Sequence, residues 1–330
     1  MKILVRLPNW LGDVVMSTGF VNALKQQYPE AQIDIIIKKE LEDLSRLIPG
    51  LTNVYAFSKK EYKGLIGAYR FGKLFRSQKF DLYFNLPSSL SSITMAWAAK
   101  AKKRIGFGAE GGSFMLTDPI PKPKGGHRVD EYISLLEKFT GNKIEHKRVS
   151  LETAKGSGTN LKKLVLVNFN SEATSRKMPA AKGQKILNAL TNTFIDVSFG
   201  LIGSKKEAAF VGSIIEGADN MDRIKSYAGK TDLVGLAELM ARSNALLSTD
   251  SGPAHLANGL NVPVVVIFGA GNEQNTAPYN HDKLQIIRAG KLACEPCLNN
   301  ECKLYGVPKC MEIIEESSII GALGIYLKHA

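Results

Sequence analysis

The sequence predicts an α/β protein with two doubly wound parallel-sheet domains, and three observations support this prediction. Short apolar runs alternate with longer helical stretches along the chain, which is the pattern of a parallel sheet covered by helices on both faces. The pattern stops in the polar segment 151–163 and then restarts. At 330 residues and 44% hydrophobic content, the chain is long enough for two cores and too apolar for wholesale disorder.

Each half of the chain predicts five strands with helices between them. The strands are expected at residues 2–7, 32–37, 53–57, 81–85 and 104–107, and again at 164–169, 196–202, 245–248, 262–268 and 284–288. We place the domain boundary between residues 155 and 156, and we leave open that the last helix packs back on the first domain. Because open α/β sheets bind ligands at the carboxyl ends of their strands, a cleft between the two domains is the expected site.

Positive charge is concentrated in the first domain. The chain carries 43 Lys and Arg against 31 Asp and Glu, a formal +12, and most of the surplus lies in the first 150 residues. The densest stretch runs from Lys59 to Arg104, where only Glu61 and Asp81 oppose eleven cations. Such a field attracts nucleic acid, anionic lipid or phosphorylated substrates, and a merely solubilising face is the alternative. No apolar run is long enough to span a membrane, and the amino terminus lacks the features of a signal peptide.

A loop follows the first predicted strand and brings Asp13 to the start of a helix. Gly12 allows the tight turn that this loop requires. Asp13 has two interpretations at this position. It is either a helix N-cap, which satisfies backbone N–H groups, or a general base that faces a ligand.

Two later segments have the composition of phosphate-binding loops. Ser248–His255 is a small, polar strand-to-helix turn, where backbone N–H groups bind phosphate and Asp250 suits sugar or ribose hydroxyls. Phe268–Pro278 contains a Gly-x-Gly that lacks the third glycine of a dinucleotide fingerprint, so it predicts a phosphate loop ending at Thr276 rather than an NAD site. A hydrolase is not favoured, because the chain lacks a Gly-x-Ser-x-Gly elbow.

Charged residues follow two other strands of the second half. Arg176 and Lys177 could neutralise a departing diphosphate, or they could be solvated loop cations. Glu207 could accept hydrogen bonds from ribose hydroxyls, or it could complement a helix dipole. The four cysteines, Cys294, Cys297, Cys302 and Cys310, could form a structural zinc site, but free thiols or a local disulfide remain open. No Asp-x-Asp pair for a metal-bridged nucleotide-sugar is present.

Taken together, these segments resemble the ADP-heptose:lipopolysaccharide heptosyltransferases of glycosyltransferase family 9, and they are most similar to the heptosyltransferase II branch. The resemblance rests on the opening KILVRLPNWLGDVVMS, on Arg104-Ile-Gly106, and on the segments TDSGPAHLA, FGAGNEQNTAP and ACEPCLNNEC in this order. It implies the GT-B fold, with two Rossmann-like domains: an acceptor domain over 1–155 and a nucleotide-sugar domain over 156–330.

The resemblance also implies roles for individual residues. Asp13 matches the catalytic base. The implied donor-binding residues are Arg176, Lys177, Glu207, Asp250, Ser251, Gly252, His255 and Thr276, and the expected acceptor-binding cations are Lys102, Lys103 and Arg104. Three departures affect the donor pocket. The loop after Phe169 lacks the family's usual Pro-Gly pair, Arg176 stands where the family usually has lysine, and Met178 where tryptophan is common.

The expected function is an inverting, metal-independent transfer of heptose from ADP-heptose to the inner core of lipopolysaccharide. We expect no cofactor, a monomer, and a cytoplasmic location peripheral to the inner face of the inner membrane. Another GT-B activity, such as a different nucleotide-sugar transferase or a sugar-nucleotide epimerase, is the alternative. A nucleic-acid-binding role is not favoured, because aromatic residues are not interleaved with the basic stretch.

Overall fold

The computed structural model describes residues 1–108, 111–153 and 163–327. The chain divides into two compact units, Met1–Glu152 and Thr153–Ala330. The predicted boundary after residue 155, and most of the predicted linker, lie within residues 154–162, which are outside the described residues. None of the helices that the structure describes is long and apolar enough to cross a membrane.

The first unit contains a six-stranded parallel sheet. Its strands are β1 (Lys2–Arg6), β2 (Gln32–Lys38), β3 (Val54–Phe57), β4 (Leu82–Asn85), β5 (Lys103–Phe107) and β6 (Asp118–Ile120). They lie in the order β3-β2-β1-β4-β5-β6, and every neighbouring pair is parallel. The central strand β1 has four consecutive buried residues, as expected where helices cover both faces of a sheet.

Four helices cover this sheet: α1 (Leu11–Gln27), α2 (Gly64–Lys73), α3 (Leu90–Ala99) and α4 (Arg128–Thr140). Helices α1 and α4 pack together, as do α2 and α3. Aromatic rings fix part of the core, where Phe84 of β4 makes edge-to-face contacts with Phe20 of α1 and Phe139 of α4. These ring contacts hold the middle of α1 and the end of α4 against the sheet.

The second unit repeats this architecture. Its parallel strands are β7 (Leu164–Asn168), β8 (Ser198–Leu201), β9 (Ile224–Ser226), β10 (Ala245–Thr249), β11 (Val264–Phe268) and β12 (Leu284–Arg288). They lie in the order β12-β11-β10-β7-β8-β9, which is the strand order of the first sheet read from the other edge. The prediction of two doubly wound α/β domains is thus confirmed.

The helices of the second unit are α5 (Ala180–Thr193), α6 (Ala208–Ile215), α7 (Leu233–Ala241), α8 (Gly252–Gly259), α9 (Glu273–Thr276), α10 (Lys309–Glu312) and α11 (Glu316–Leu327). Three buried residues of α11, Ile319, Leu323 and Leu327, belong to the hydrophobic core of this unit. The helix also packs on α5 and on β10 to β12. The apolar side of the last helix is therefore buried in the core of the second unit.

The strand order creates one switch point in each sheet, where neighbouring strands connect in opposite directions. In the first sheet this point lies between β1 and β4, and in the second sheet between β7 and β10. Ligands of open α/β sheets bind outside the carboxyl ends of the strands at such points. The two switch points are therefore the places to look for functional side chains.

Candidate active site

Buried polar atoms without hydrogen-bond partners gather at or next to these two switch points. In the described part of the chain, six buried side-chain atoms have no hydrogen-bond partner: Nε of Arg6, the hydroxyl oxygen of Tyr83, Oδ1 of Asn85, Oδ1 of Asn170, Nε of Arg176 and Oδ2 of Asp250, the last of which is in an ion pair. The first three belong to β1 and β4, and the other three belong to the loops that follow β7 and β10. Because an unsatisfied buried polar atom costs free energy, its presence marks where a polar ligand can bind.

An amide network joins the ends of β7 and β10. The side-chain amide of Asn168 donates to the hydroxyl of Ser248 at 3.1 Å and to that of Ser251 at 2.8 Å. The amide of Asn170 donates to Oδ1 of Asn168 at 3.2 Å and to the carbonyl of Ile202, at the end of β8, at 2.8 Å. These contacts fix the backbone that leads into α8. Neither Asn168 nor Asn170 was predicted as a site residue, although a polar residue that ends an apolar strand is the signal that could have found them.

Asp250 and Arg176 form a buried ion pair beside this network. Oδ2 of Asp250 lies 3.1 Å from Nη1 of Arg176, and the Asp250 side chain is only 4% exposed. Burial raises the pKa of the Asp250 carboxyl to about 6, although the neighbouring cations Arg176 and Arg288 lower it. Gly271 is required here, because a Cβ at this position would lie 2.1 Å from Oδ2 of Asp250. The predicted donor residues Asp250 and Arg176 are thus in direct contact.

Arg288, at the end of β12, holds the loop that contains Gly271. Its guanidinium donates to the carbonyls of Gly269 and Gly271, and its Nε donates to Glu273 at 3.1 Å. A further ion pair joins Arg288 to Glu295 at 3.4 Å. No motif predicted this role, because Arg288 lies in the next strand, 17 residues beyond Gly271.

The start of α8 presents the predicted phosphate-binding turn. Ser251 is the N-cap residue of α8, and Gly252 is its first residue. Pro253 has no N–H, so the N–H groups near the helix end are those of Ser251 and Gly252. His255 is buried in the same helix, with 6% of its surface exposed. The turn therefore has the geometry of an anion site at a helix N-terminus.

Three other predicted donor residues have local partners. Nζ of Lys177 lies 3.7 Å from the ring centroid of Phe210, which is a cation–π contact and not a contact with Asp250. Glu207 forms a capping box with Ser204, since its carboxylate accepts from the Ser204 N–H at 2.7 Å. The hydroxyl of Thr276 donates to the carbonyl of Asn272 at 3.3 Å. Glu207 therefore lies in the first turn of a short helix, where a carboxylate complements the helix dipole. Lys177 does not contact the ion pair of Arg176 and Asp250.

Asp13 lies in the first turn of α1, next to the carboxyl end of β1. The N-cap of α1 is Trp10, so the N-cap interpretation of Asp13 is wrong. Its carboxylate lies 3.9 Å from Nε of Arg128 and close to the hydroxyl of Tyr132, both of α4. Burial raises the pKa of the Asp13 carboxyl, while Arg128 opposes this shift. A partly exposed carboxylate with a raised pKa and a fixed orientation has the properties of a general base.

Arg6 organises the loop between β1 and α1. Its side chain is 2% exposed, and its Nη2 donates to Oδ1 of Asn9 at 2.6 Å. Its Nη1 donates to the carbonyls of Leu7 and Ile36. Burial lowers the pKa of the Arg6 guanidinium to about 10. Because Asn9 lies in the turn that leads to Asp13, Arg6 positions the polypeptide immediately before the candidate base.

The three predicted acceptor cations lie at the amino ends of the strands of the first sheet, and Asp13 lies at the carboxyl ends. Lys102 precedes β5, and Lys103 and Arg104 are the first residues of this strand. Lys102 pairs with Asp81 at 2.7 Å, and Lys103 pairs with Asp118 at 3.3 Å. Parallel strands have all their amino ends at one edge, whereas Asp13 follows the carboxyl end of β1. The assignment of Lys102, Lys103 and Arg104 to acceptor binding stays a prediction from the sequence.

The cysteine segment has no metal geometry in the described residues. Cys294, Cys297 and Cys302 are half-buried free thiols, and Cys310 is a buried free thiol. In the described ranges, no three His, Cys, Asp or Glu side chains are placed to hold a metal ion. The arrangement of the four thiols therefore gives the zinc interpretation no support. Burial raises the pKa of the Cys310 thiol to about 11, so this thiol is inert at neutral pH.

Comparison with known proteins agrees with this geometry. The family model of glycosyltransferase family 9 (heptosyltransferase) matches residues 68–307. The chain is 26% identical to the lipopolysaccharide core heptosyltransferase OpsX of Haemophilus influenzae, over 82% of this chain and 80% of that protein. It is 28% identical to the lipooligosaccharide heptosyltransferase 2 of the same organism, over 87% and 88% of the two chains. The solved structure of Escherichia coli ADP-heptose lipopolysaccharide heptosyltransferase II superposes with a TM-score of 0.82 at 21% identity, covering 100% of this chain and 99% of that one.

Two doubly wound units of this kind, with a polar site at the switch point of the second, define the GT-B class of glycosyltransferases. The chain belongs to glycosyltransferase family 9. The protein is accordingly an enzyme, a glycosyltransferase.

Proposed function

We propose that this enzyme transfers heptose from ADP-heptose to the inner core of lipopolysaccharide, as a monomer at the cytoplasmic face of the inner membrane. The names of its relatives support the sugar and the acceptor, since they are lipopolysaccharide or lipooligosaccharide heptosyltransferases. The observation that carries the proposal is the pair of polar sites. One unit holds a carboxylate suited to a general base, and the other holds an arginine at a phosphate-binding turn.

The proposed reaction begins at Asp13. Its carboxylate takes the proton of the acceptor hydroxyl, and the acceptor oxygen attacks the anomeric carbon of heptose. A new glycosidic C–O bond forms while the bond between that carbon and the diphosphate oxygen breaks. Attack on the face opposite the leaving group inverts the configuration. The raised pKa of Asp13 favours this step, because it strengthens the carboxylate as a base.

The leaving nucleoside diphosphate takes the electron pair of the broken bond and develops negative charge. Arg176 and the N-terminus of α8 stabilise this charge without a metal ion in the proposed reaction. Asp250 acts as a positioning residue, because it holds the guanidinium of Arg176 beside the turn. Arg288 has a similar role for the loop that follows β11.

A binding and product assay tests the donor assignment. Thermal-shift measurements with ADP, UDP and TDP, each with its sugar conjugates, should give selective stabilisation by the ADP compounds, because a ligand of the folded state raises Tm. Incubation with ADP-heptose and a Kdo-bearing lipid A acceptor should then release ADP and extend the acceptor by one heptose. Arg176→Gln should weaken ADP binding by about 10-fold or more, whereas Lys177→Gln should change it much less. Preferential binding of UDP or TDP compounds would overturn the donor assignment.

A further inference from the structure

An open pocket of about 500 Å³ lies in the first unit, away from the candidate active site. It is lined by Tyr69, Arg76, Trp97, Lys100 and Arg104, and therefore contains three cations, two aromatic rings and no carboxylate. The pocket belongs to the end of the unit where β5 begins and where α2 and α3 end, whereas Asp13 lies at the carboxyl end of β1. The proposed transfer reaction makes no use of this pocket.

Contacts inside the pocket hold its two arginines, Arg76 and Arg104, in place without neutralising them. Nε of Arg76 donates to the carbonyl of Ala98 at 2.9 Å, and its Nη2 donates to the Tyr69 hydroxyl at 3.0 Å. Arg104 donates to the carbonyls of Met115 at 3.1 Å and Ala101 at 2.9 Å. In the ranges that the structure describes, neither arginine forms an ion pair with a carboxylate. The pocket is therefore preorganised for an anion of phosphate type.

The exposed side of α2 continues this surface. Residues 66, 69, 70, 73 and 74 follow helical spacing and place Ile66, Tyr69, Arg70, Lys73 and Leu74 on one stripe. Ile66 is 78% exposed and Leu74 is 58% exposed, an unusual degree of exposure for aliphatic side chains beside cations. Asp81, which is paired with Lys102, is the only acidic residue between 62 and 108.

The aromatic rings lie where the apolar stripe meets the cationic pocket. The rings of Tyr69 and Trp97 have centroids 5.7 Å apart, and Trp97 is 46% exposed. Exposed aliphatic residues, cations and amphipathic rings together form the composition of a helix that lies in a membrane interface. A nucleic-acid partner would account for the cations and rings but not for Ile66 and Leu74.

We propose that the exposed side of α2 and the adjoining pocket form a docking surface for an anionic lipid bilayer. The pocket binds a phosphate head group through Arg76, Lys100 and Arg104, while Ile66 and Leu74 enter the boundary between head groups and acyl chains. The proposal locates the membrane contact that the proposed function requires. The docking proposal can fail while the proposed function holds, because lipid binding is measured without donor, acceptor or turnover.

Vesicle flotation of the full chain tests this docking surface. We expect binding to vesicles of phosphatidylglycerol and phosphatidylcholine, and little binding to phosphatidylcholine alone. Ile66→Ser with Leu74→Ser, and separately Arg76→Gln with Lys100→Gln, should each lower the vesicle partition coefficient by about 10-fold or more. The matched controls Ile195→Ser and Lys143→Gln remove an equally exposed aliphatic residue and an exposed lysine elsewhere, and they should leave binding unchanged.

Trp97 provides a second measurement. The chain has two tryptophans, so Trp10→Phe leaves Trp97 as the only tryptophan reporter. Its emission should shift to the blue with anionic vesicles and should not shift with inorganic phosphate alone. Absence of vesicle binding, or equal losses in the control variants, would overturn the proposal. Binding to DNA that is lost in Arg76→Gln and retained in Ile66→Ser would instead identify a nucleic-acid surface.

Discussion

At the scale of single residues, the candidate site contains two carboxylates whose pKa values are raised by burial. Asp13 and Asp250 are the two carboxylates of the site with raised pKa values, and a cation opposes the shift in each case. The sequence could predict both residues, because each lies where a strand gives way to a helix. It could not predict Tyr132, Arg128 or Arg288, because their contacts depend on elements far apart in the chain. Glu207 lies in the first turn of a short helix, as the helix-dipole alternative predicts, but its capping box with Ser204 was not predicted.

Asp250 predicts a pH dependence of stability. Its folded pKa of about 6 lies above the ordinary aspartate value, so the folded state binds a proton that the unfolded chain releases. The contribution of this group to the free energy of unfolding is therefore larger near pH 4 and falls as pH rises through about 6. Denaturant unfolding at a series of pH values gives the free energy of unfolding of the wild type and of Asp250→Asn. Between pH 4 and 6, the slope of this free energy against pH should differ between the two proteins. Identical slopes would contradict the raised pKa.

At the scale of elements, strand length decides what the sequence could predict. The strongly apolar strands β1, β7, β10 and β11 were predicted within about two residues at each end. The two strands that the sequence missed, β6 and β9, have three residues each and lie at sheet edges, and β6 contains Pro119. So short a strand gives no periodic signal, and its existence depends on pairing with a neighbour that already belongs to the sheet.

The close packing of α2 on α3 gives a prediction about helical glycines. A Cβ at Gly72 would lie 2.3 Å from the carbonyl oxygen of Met95 and 2.9 Å from the Cβ of Ala98, so the two helices would have to separate. Gly72→Ala should therefore lower the free energy of unfolding by about 1–3 kcal/mol, the usual cost of overpacking.

Gly321 of α11 is the matched control, because nothing lies within 4 Å of a Cβ there. Gly321→Ala should raise the free energy of unfolding by up to about 1 kcal/mol through helix propensity. Equal effects of the two substitutions in denaturant unfolding would contradict the packing of α2 on α3. The same experiment tests the position of α2, the helix that carries the apolar stripe of the lipid-docking surface.

At the scale of the whole molecule, two units with the same strand order carry different chemistry. The first unit has most of the positive charge and holds Asp13, and the second unit holds the amide network and the pair Arg176–Asp250. The fold class could be predicted because the alternation of strands and helices is local. The positions of the basic residues in the fold could not be predicted. The cations at the start of β5 lie at the amino ends of the strands, whereas Asp13 lies at their carboxyl ends. In our account, the surplus positive charge of the first unit therefore contributes to the lipid-docking surface at α2 and not to the chemistry at Asp13.

The central claim is that Asp13 is the base of the transfer, and Asp13→Asn tests it most directly. The substitution keeps the size of the side chain and removes its basicity. The kcat of the Asp13→Asn enzyme for transfer should fall by about 10²–10⁴-fold. Its Kd for ADP should stay unchanged, because Asp13 and the donor residues belong to different units. Asp130→Asn, which alters an acidic residue in the first turn of α4, is the matched control. Near-normal transfer by Asp13→Asn would contradict the account.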